Sequence, residues 1–156
     1  MVEIADVDIH QIVELRRRVL RANDESAQVI VASDHEKGCF HLGITEDDCV
    51  VACVSAFALP CPDVASTNSW QFRFMAVDAS HQGHGLGRAL MTRLLAELRG
   101  RGADVAWANG RDTAQGFYEA MGFTIVEGSA HLSPETGLPH HRIYVAVTTE
   151  GETVHG

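Results

Sequence analysis

The stretch Gln82-Gly83-His84-Gly85-Leu86-Gly87-Arg88 constrains this chain more than any other, because it joins an apolar run ending Phe74-Met75-Ala76-Val77 to a helix-periodic run beginning at Leu86. A strand that feeds a glycine-rich turn opening a helix leaves backbone N–H groups facing outward at the positive end of the helix dipole, and such a place attracts an anion. Glycine at 83, 85 and 87 permits left-handed torsions and close backbone approach to a ligand. The local architecture predicted is therefore strand, phosphate cradle, helix.

The spacing selects among cradles. No Lys-Ser/Thr pair follows, so G-x-x-x-x-G-K-[ST] is excluded; the glycines alternate, so G-x-G-x-x-G does not fit either. Gln-x-x-Gly-x-Gly does fit. Downstream, Ala114-Gln115-Gly116-Phe117-Tyr118-Glu119-Ala120-Met121-Gly122-Phe123 reads A-x-x-F-Y-E-x-x-G-F. In that order the two segments resemble the coenzyme-binding region of the GNAT superfamily of N-acetyltransferases, with the resemblance running from about Val50 to Val147. It implies acetyl-coenzyme A as co-substrate and direct transfer of the acetyl group to an amine. It also implies an α/β (α+β) fold: a central mixed, mostly antiparallel sheet flanked by helices, with two splayed parallel strands forming the coenzyme A cleft.

The family pattern carries roles onto particular residues. Met75, Ala76 and Val77 stand where a bulged strand pairs with the pantetheine arm and offers N–H groups to the thioester carbonyl; Gln82, Gly83, His84, Gly85, Leu86, Gly87 and Arg88 stand at the pyrophosphate. The second motif adds Phe117 to the coenzyme site and implies that Tyr118 protonates the departing thiolate. A phenol with pKa near 10 and a thiol near 8.5 are close enough for that transfer. The family's asparagine position holds Arg111, with Asn109 two residues earlier. Arg111 is open to a coenzyme phosphate or an acidic acceptor, or to pairing with Asp112 or Glu119 in solvent. The strand offers Gln71 and Arg73 where a carboxylate base is often found. The base is therefore left among His140, His141, His41, Glu127 and water. The missing carboxylate motivates a competing reading, a non-catalytic acyl-CoA-binding sensor or interaction module.

Composition narrows the remainder. At 156 residues one domain, 1–156, is expected, large enough to bury roughly 70% of its unfolded surface. A formal net charge of −9 argues against a nucleic-acid partner. No apolar run approaches the roughly 20 residues of a membrane span, and Met1 to Asp6 lacks the basic start of a secretory signal, so the expected location is cytoplasmic. The expected acceptor is a small-molecule or peptide amine, and a homodimer is open. Cys39, Cys49, Cys53 and Cys61 form no C-x-x-C pair and read as reduced, buried thiols. His81, His84, His140 and His141 lack supporting cysteine or acid spacing, so no metal is expected. Arg16, Arg17, Arg18 and Arg21 read as a solvated helix face.

Along the chain, Asp6 is a plausible cap for a helix through Ile9, Ile12, Val13, Leu15, Val19 and Leu20. Asp24 to Gly38 reads as a variable loop with a short helix. Cys39–Ile44 and Cys49–Leu59 read as an antiparallel pair joined by Thr45–Asp48, and Trp70–Asp78 as a strand. Leu86 to Leu98 reads as a helix stopped by Gly100 and Gly102, Asp104–Asn109 as a parallel strand, and Asp112 as the cap of a short helix ending at Gly122. Phe123–Val126 and His141–Val147 are the last strands, before a polar tail expected to fray over residues 149–156. Acceptor specificity is assigned to the loops Asp24–Gly38, Pro60–Ser69 and Ser133–Pro139.

Overall fold

The computed structural model describes residues 3–21, 29 and 38–147. The expected short helix between Asp24 and Gly38 and the polar tail fall almost wholly outside the described residues. Eight strands and three α-helices are present among those described: β1 (Ile4–Asp6), α1 (Ile9–Leu20), β2 (Phe40–Glu46), β3 (Cys49–Ala58), β4 (Ser69–Val77), α2 (Leu86–Gly100), β5 (Val105–Arg111), α3 (Gln115–Ala120), β6 (Thr124–Ile125), β7 (His131–Leu132) and β8 (Pro139–Ala146). The hydrogen-bonded strand order is β1-β2-β3-β4-β5-β8-β6, with β7 on β8. The chain divides into two compact units, residues 1–57 with 72–94 and residues 58–71 with 95–156, so β4 and α2 each contribute to both.

In the first unit, α1 is capped by Asp8, two residues after the Asp6 that the sequence suggests. Ile4–Asp6 is instead a strand, paired antiparallel with Leu42–Ile44. Asp8 and Gln11 form a reciprocal capping box, Asp8 Oδ1 accepting from the His10 N–H at 2.9 Å and Gln11 Oε1 from the Asp8 N–H at 2.7 Å. The helix buries Ile9, Ile12 and Leu15 against Cys53 of β3 and Ala76 of β4. Its arginines do not share one solvated face: Arg18 is exposed and meets Asp78 at 3.5 Å, whereas Arg16 is fully buried. The period of α1 explains this, since Arg16 falls four residues after Ile12 and so on the core face. The β2–β3 hairpin turns on Asp47 and Asp48 alone, with φ of 50° and 64°, the left-handed pair that matches strand twist in a two-residue loop. Cys49, expected to be buried, is exposed at the start of β3, while Cys53 is buried.

In the second unit, the parallel ladder joins Ser69–Gln71 of β4 to Val105–Trp107 of β5, three residues of a nine-residue strand. β5 runs antiparallel to β8 along its whole length, from Val105↔Ala146 to Arg111↔His140. Trp107, Val105 and Cys61 form a core with Leu59, Val64 and Tyr144, and the Trp107 indole N–H donates to Leu59 O at 3.0 Å. At the end of α2, Ala103 N bonds Leu98 O and Gly102 N bonds Arg99 O, both at 3.0 Å, with Gly102 at φ 75°. That is a Schellman ending, and it brings the chain directly into β5. Two expectations are corrected here. Asp112 makes no capping bond to a helix, because a 3-10 turn (Asp112–Ala114) precedes α3. The strand read as Phe123–Val126 is only Thr124–Ile125, and His131–Leu132, too short to show alternation, forms a further strand.

Candidate active site

The cradle belongs to the first unit. Residues 78–82 are tied down: Asp78 N bonds Val51 O at 2.8 Å, His81 Nε2 meets Glu46 Oε2 at 3.0 Å, and the Gln82 carboxamide donates to Val77 O at 3.0 Å. Gln82 thus braces the turn against the end of β4. Beyond it, Gly83 and Gly85 have φ of 82° and 79°, and a Cβ on either would point into open space. Both are exposed, as are His84 and Arg88, while Leu86 anchors the helix in the core. The first helical bond runs from Ala89 N to Gly85 O at 3.0 Å. The N–H groups of Leu86, Gly87 and Arg88 therefore precede the ladder at the positive end of α2. Gly87 lies inside α2 and has no positive φ, so the left-handed torsions expected of three glycines are taken by two.

Where a bulge is expected in β4, one residue has a left-handed torsion. Phe74 has φ 58°, which for an aromatic residue is a true outlier costing about 1–2 kcal/mol. It comes immediately before Met75, Ala76 and Val77, of which Ala76 is buried and the other two half-buried. Cys53 Sγ donates to Phe74 O at 3.6 Å, and burial pushes the Cys53 thiol up to about 12 although the Arg16 charge opposes this.

The second unit holds Tyr118. Phe123 N bonds Tyr118 O at 2.9 Å and Gly122 N bonds Glu119 O at 3.0 Å, with Gly122 at φ 94°. α3 therefore also ends in a Schellman motif, whose hydrophobic contact is the Tyr118–Phe123 ring pair, centroids 5.6 Å apart and edge to face. This accounts for the spacing F-Y-E-x-x-G-F: the tyrosine, the left-handed glycine and the second phenylalanine are one cap. Phe117 meets the same ring at 5.3 Å. Below lies Gly110 of β5, where a Cβ would sit 3.1 Å from Tyr118 Cε2. The ring is 8% exposed, and burial raises its phenol to about 12 against a smaller lowering by the Arg111 charge. The Tyr118 phenol is therefore neutral throughout the physiological range.

The candidate bases separate clearly. His41 is buried in the first unit with Nδ1 2.6 Å from Ser55 Oγ. In the second unit, Glu127 is exposed, and His140 is buried with Nδ1 2.7 Å from Leu138 O. His141 differs: its Nδ1 lies 2.7 Å from Asp112 Oδ1, and Gln115 Nε2 donates to the same carboxylate oxygen at 3.2 Å. A carboxylate only accepts, so His141 carries a proton on Nδ1 and presents the Nε2 lone pair when neutral. His141 stands directly opposite Gly110 in the β5–β8 register, so it shares the sheet face on which the Tyr118 ring lies. Asp112 carries no sequence signal as its partner; the two are 29 residues apart and meet through the β5–β8 ladder. Asn109 is exposed opposite Arg142, and Arg111 is half-buried opposite His140. Arg142 itself forks onto Asp63 at 2.7 and 3.0 Å.

Known proteins share both the sequence pattern and the fold. Residues 9–123 match the acetyltransferase (GNAT) family. A Bacillus subtilis (strain 168) protein described as an uncharacterized N-acetyltransferase, YitI, is 25% identical over 123 residues, covering 79% of this chain and 83% of its own length. The fold is similar to that of an acyl-CoA N-acyltransferase from Pseudomonas aeruginosa, with a TM-score of 0.76 at 18% identity over 92% of this chain and 99% of that one. It is also similar to that of an aminoglycoside 6'-N-acetyltransferase solved with coenzyme A, with a TM-score of 0.68 at 16% identity over 96% and 99%. No helix among the described residues is long and apolar enough to cross a membrane. Since that family match spans residues 9–123, most of the chain, the chain belongs to the acetyltransferase (GNAT) family, the N-acetyltransferases that draw on acyl-coenzyme A.

Proposed function

We propose that this enzyme transfers acetyl from acetyl-coenzyme A to a primary amine of a small molecule or peptide, by direct attack and with Tyr118 as general acid. The observation that carries the reading is the placement of Tyr118: a buried phenol oriented by the α3 cap and by its contact with Gly110. The coenzyme pyrophosphate is assigned to the N–H groups of Gly83–Arg88, and the pantetheine arm to the backbone of Met75–Val77. Two left-handed glycines with open space at Cβ support the first assignment, and the torsion of Phe74 supports the second. Phe117, Asn109 and Arg111 complete the coenzyme assignment. The coenzyme A bound to the aminoglycoside 6'-N-acetyltransferase of the same fold supports that ligand here.

His141 is the base these contacts favour, with Asp112 holding its tautomer and balancing the charge it gains. The amine nitrogen forms the bond to the acetyl carbon and loses its proton to His141 Nε2. The C–S bond breaks, and the thiolate takes the Tyr118 hydroxyl proton. The products are the amide and free coenzyme A, and solvent returns the proton from imidazolium to phenolate. No covalent enzyme intermediate is required. The acidic chain, with net charge −9, suits a cationic amine better than a nucleic acid.

Calorimetry with coenzyme A, followed by thiol release from acetyl-coenzyme A with a panel of amines, tests the reading. Binding with amine-dependent release is expected. No binding at millimolar coenzyme A would overturn it, and binding without release for any amine would favour an acyl-CoA sensor.

A further inference from the structure

Arg16 is the largest fully buried side chain among the described residues, and a charge enters a protein interior only with partners that offset its lost hydration. Its Nη1 donates to Val29 O at 2.7 Å and its Nη2 to Ser55 Oγ at 2.8 Å. The same Ser55 oxygen lies 2.6 Å from His41 Nδ1, so the three side chains form one buried hydrogen-bonded chain. The guanidinium is thereby fixed from α1, β2 and β3 together. Its carbon lies 3.9 Å from the centroid of the Phe74 ring, the residue with φ 58°. An aromatic residue keeps a left-handed torsion only where its surroundings over-determine it. Here Arg16 covers the ring, Arg73 approaches it at 4.7 Å, and Cys53 Sγ bonds its carbonyl. Arg16 is itself held by hydrogen bonds to Val29 and to Ser55 of β3.

A single left-handed residue in a strand rotates the peptide planes that follow and turns their N–H groups out of the regular alternation. We infer that Arg16, braced by Ser55 and His41, clamps the Phe74 ring and so aims the backbone N–H groups of Met75, Ala76 and Val77, which makes it a positioning residue for acyl transfer. The inference rests on the assignment of Met75–Val77 to the coenzyme arm. Nothing in the glycine or tyrosine motifs involves Arg16, which comes from a helix whose arginines read as solvated.

The test is Arg16→Met, which keeps the aliphatic stem, made in the full chain both alone and with Phe74→Gly. Amide resonances of residues 74–77 and thiol release from acetyl-coenzyme A are followed, with the best amine of the panel, or water, as acceptor. Arg16→Met is expected to shift the amides of Met75–Val77 and lower kcat roughly 10–100-fold, with KM for acetyl-coenzyme A within about threefold. Glycine takes the left-handed torsion without a Cβ clash. In the Phe74→Gly background, Arg16→Met should therefore change kcat less than about threefold. Equal losses in both backgrounds, or unmoved amides, would overturn the clamp. Moved amides with wild-type turnover would overturn the catalytic role by removing Met75–Val77 from the site, while leaving the clamp itself standing. If Arg16→Met does not fold, Ser55→Ala loosens the same guanidinium and should give the same pattern with a loss of roughly 3–10-fold.

Discussion

Gly110→Ala is the substitution whose effect the contacts define best. The new Cβ would lie 3.1 Å from Ile143 Cδ1, 3.1 Å from Tyr118 Cε2 and 3.3 Å from Tyr118 Cδ2, all closer than ordinary contact. Gly110 has no positive φ, so the backbone tolerates alanine and the whole effect is steric. Ile143 is 1% exposed and has little room to move, and the Tyr118 ring is held between the edges of Phe117 and Phe123. Overpacking of this kind costs about 1–3 kcal/mol, which for a chain of this length lowers Tm by roughly 2–10 °C. The ring must also shift by a few tenths of an ångström. Since a misplacement of about 1 Å costs on the order of 10²-fold, kcat should fall roughly 3–10-fold with coenzyme affinity unchanged. The assay is thermal denaturation together with thiol release from acetyl-coenzyme A, repeated in a Tyr118→Phe background. Tyr118→Phe should itself lower kcat roughly 10²–10⁴-fold, and there Gly110→Ala should lower Tm but cost no further turnover. Equal kcat losses in both backgrounds, or a lowered Tm with wild-type kcat in the single variant, would refute Tyr118 as the acid.

Three further outcomes are expected. Gly85→Val forces a β-branched residue to φ 79° at a position whose Cβ meets nothing, so the fold should persist while coenzyme A binding measured by calorimetry is lost; unchanged affinity would reduce Gln82–Arg88 to a plain turn. Asp112→Asn keeps a hydrogen-bond acceptor for His141 but not the charge that balances an imidazolium, so kcat should fall roughly 10–10³-fold with coenzyme binding intact, whereas a wild-type pH–rate profile would remove His141 from the base role. Raised pKa values make the fold vulnerable to alkali. Cys53 is raised from 9.0 and Tyr118 from 10.0, each to about 12, so the unfolded chain releases both protons first and stability declines as pH rises from 9 to 12, by up to about 4 and 3 kcal/mol respectively. Denaturant midpoints should be flat below pH 9 and fall above it, less steeply in Cys53→Ala, and a flat curve to pH 11 would contradict both shifts.

The glycine turn after β4 and the ending of α3 are legible in the sequence because both are made of backbone torsions, and torsions select residue types. Gly85 and Gly122 are glycines for a local reason, so the motif survives as spacing. Tyr118 was legible for the same reason, being one member of a helix cap. The buried Arg16, the left-handed Phe74 and the Asp112–His141 pair were not. Each depends on contacts between elements distant in sequence: Arg16 reaches Ser55, and the Asp112–His141 contact requires the β5–β8 register. The charge of Arg16 points to solvent, but its place four residues after Ile12 puts it on the apolar face of α1. An aspartate before a helix is most often a cap, but at Asp112 a 3-10 turn intervenes and frees the carboxylate for His141.

The raised pKa of Tyr118 constrains what the acid step can be. With the phenol near 12 and a thiol in water near 8.5, proton transfer is uphill by about 3.5 pKa units, roughly 5 kcal/mol, if the thiolate forms in water. A hydrated thiolate would therefore leave as the anion and Tyr118 would contribute only a hydrogen bond. In a site from which water is excluded, the thiolate loses hydration as the phenolate does, and its affinity for a proton rises with it. Tyr118 can then serve as a full donor only while the departing sulfur stays as dry as the phenol. The burial that makes the tyrosine a poor acid in solution is thus the condition under which its proton and that of the thiol become matched. This leads to a distinction by substrate. Acyl donors with a leaving thiol of lower pKa should be far less sensitive to Tyr118→Phe than acetyl-coenzyme A is, because their anions need no proton to depart. Equal sensitivity across a series of such thioesters would mean that the hydroxyl orients the thioester and does not protonate it.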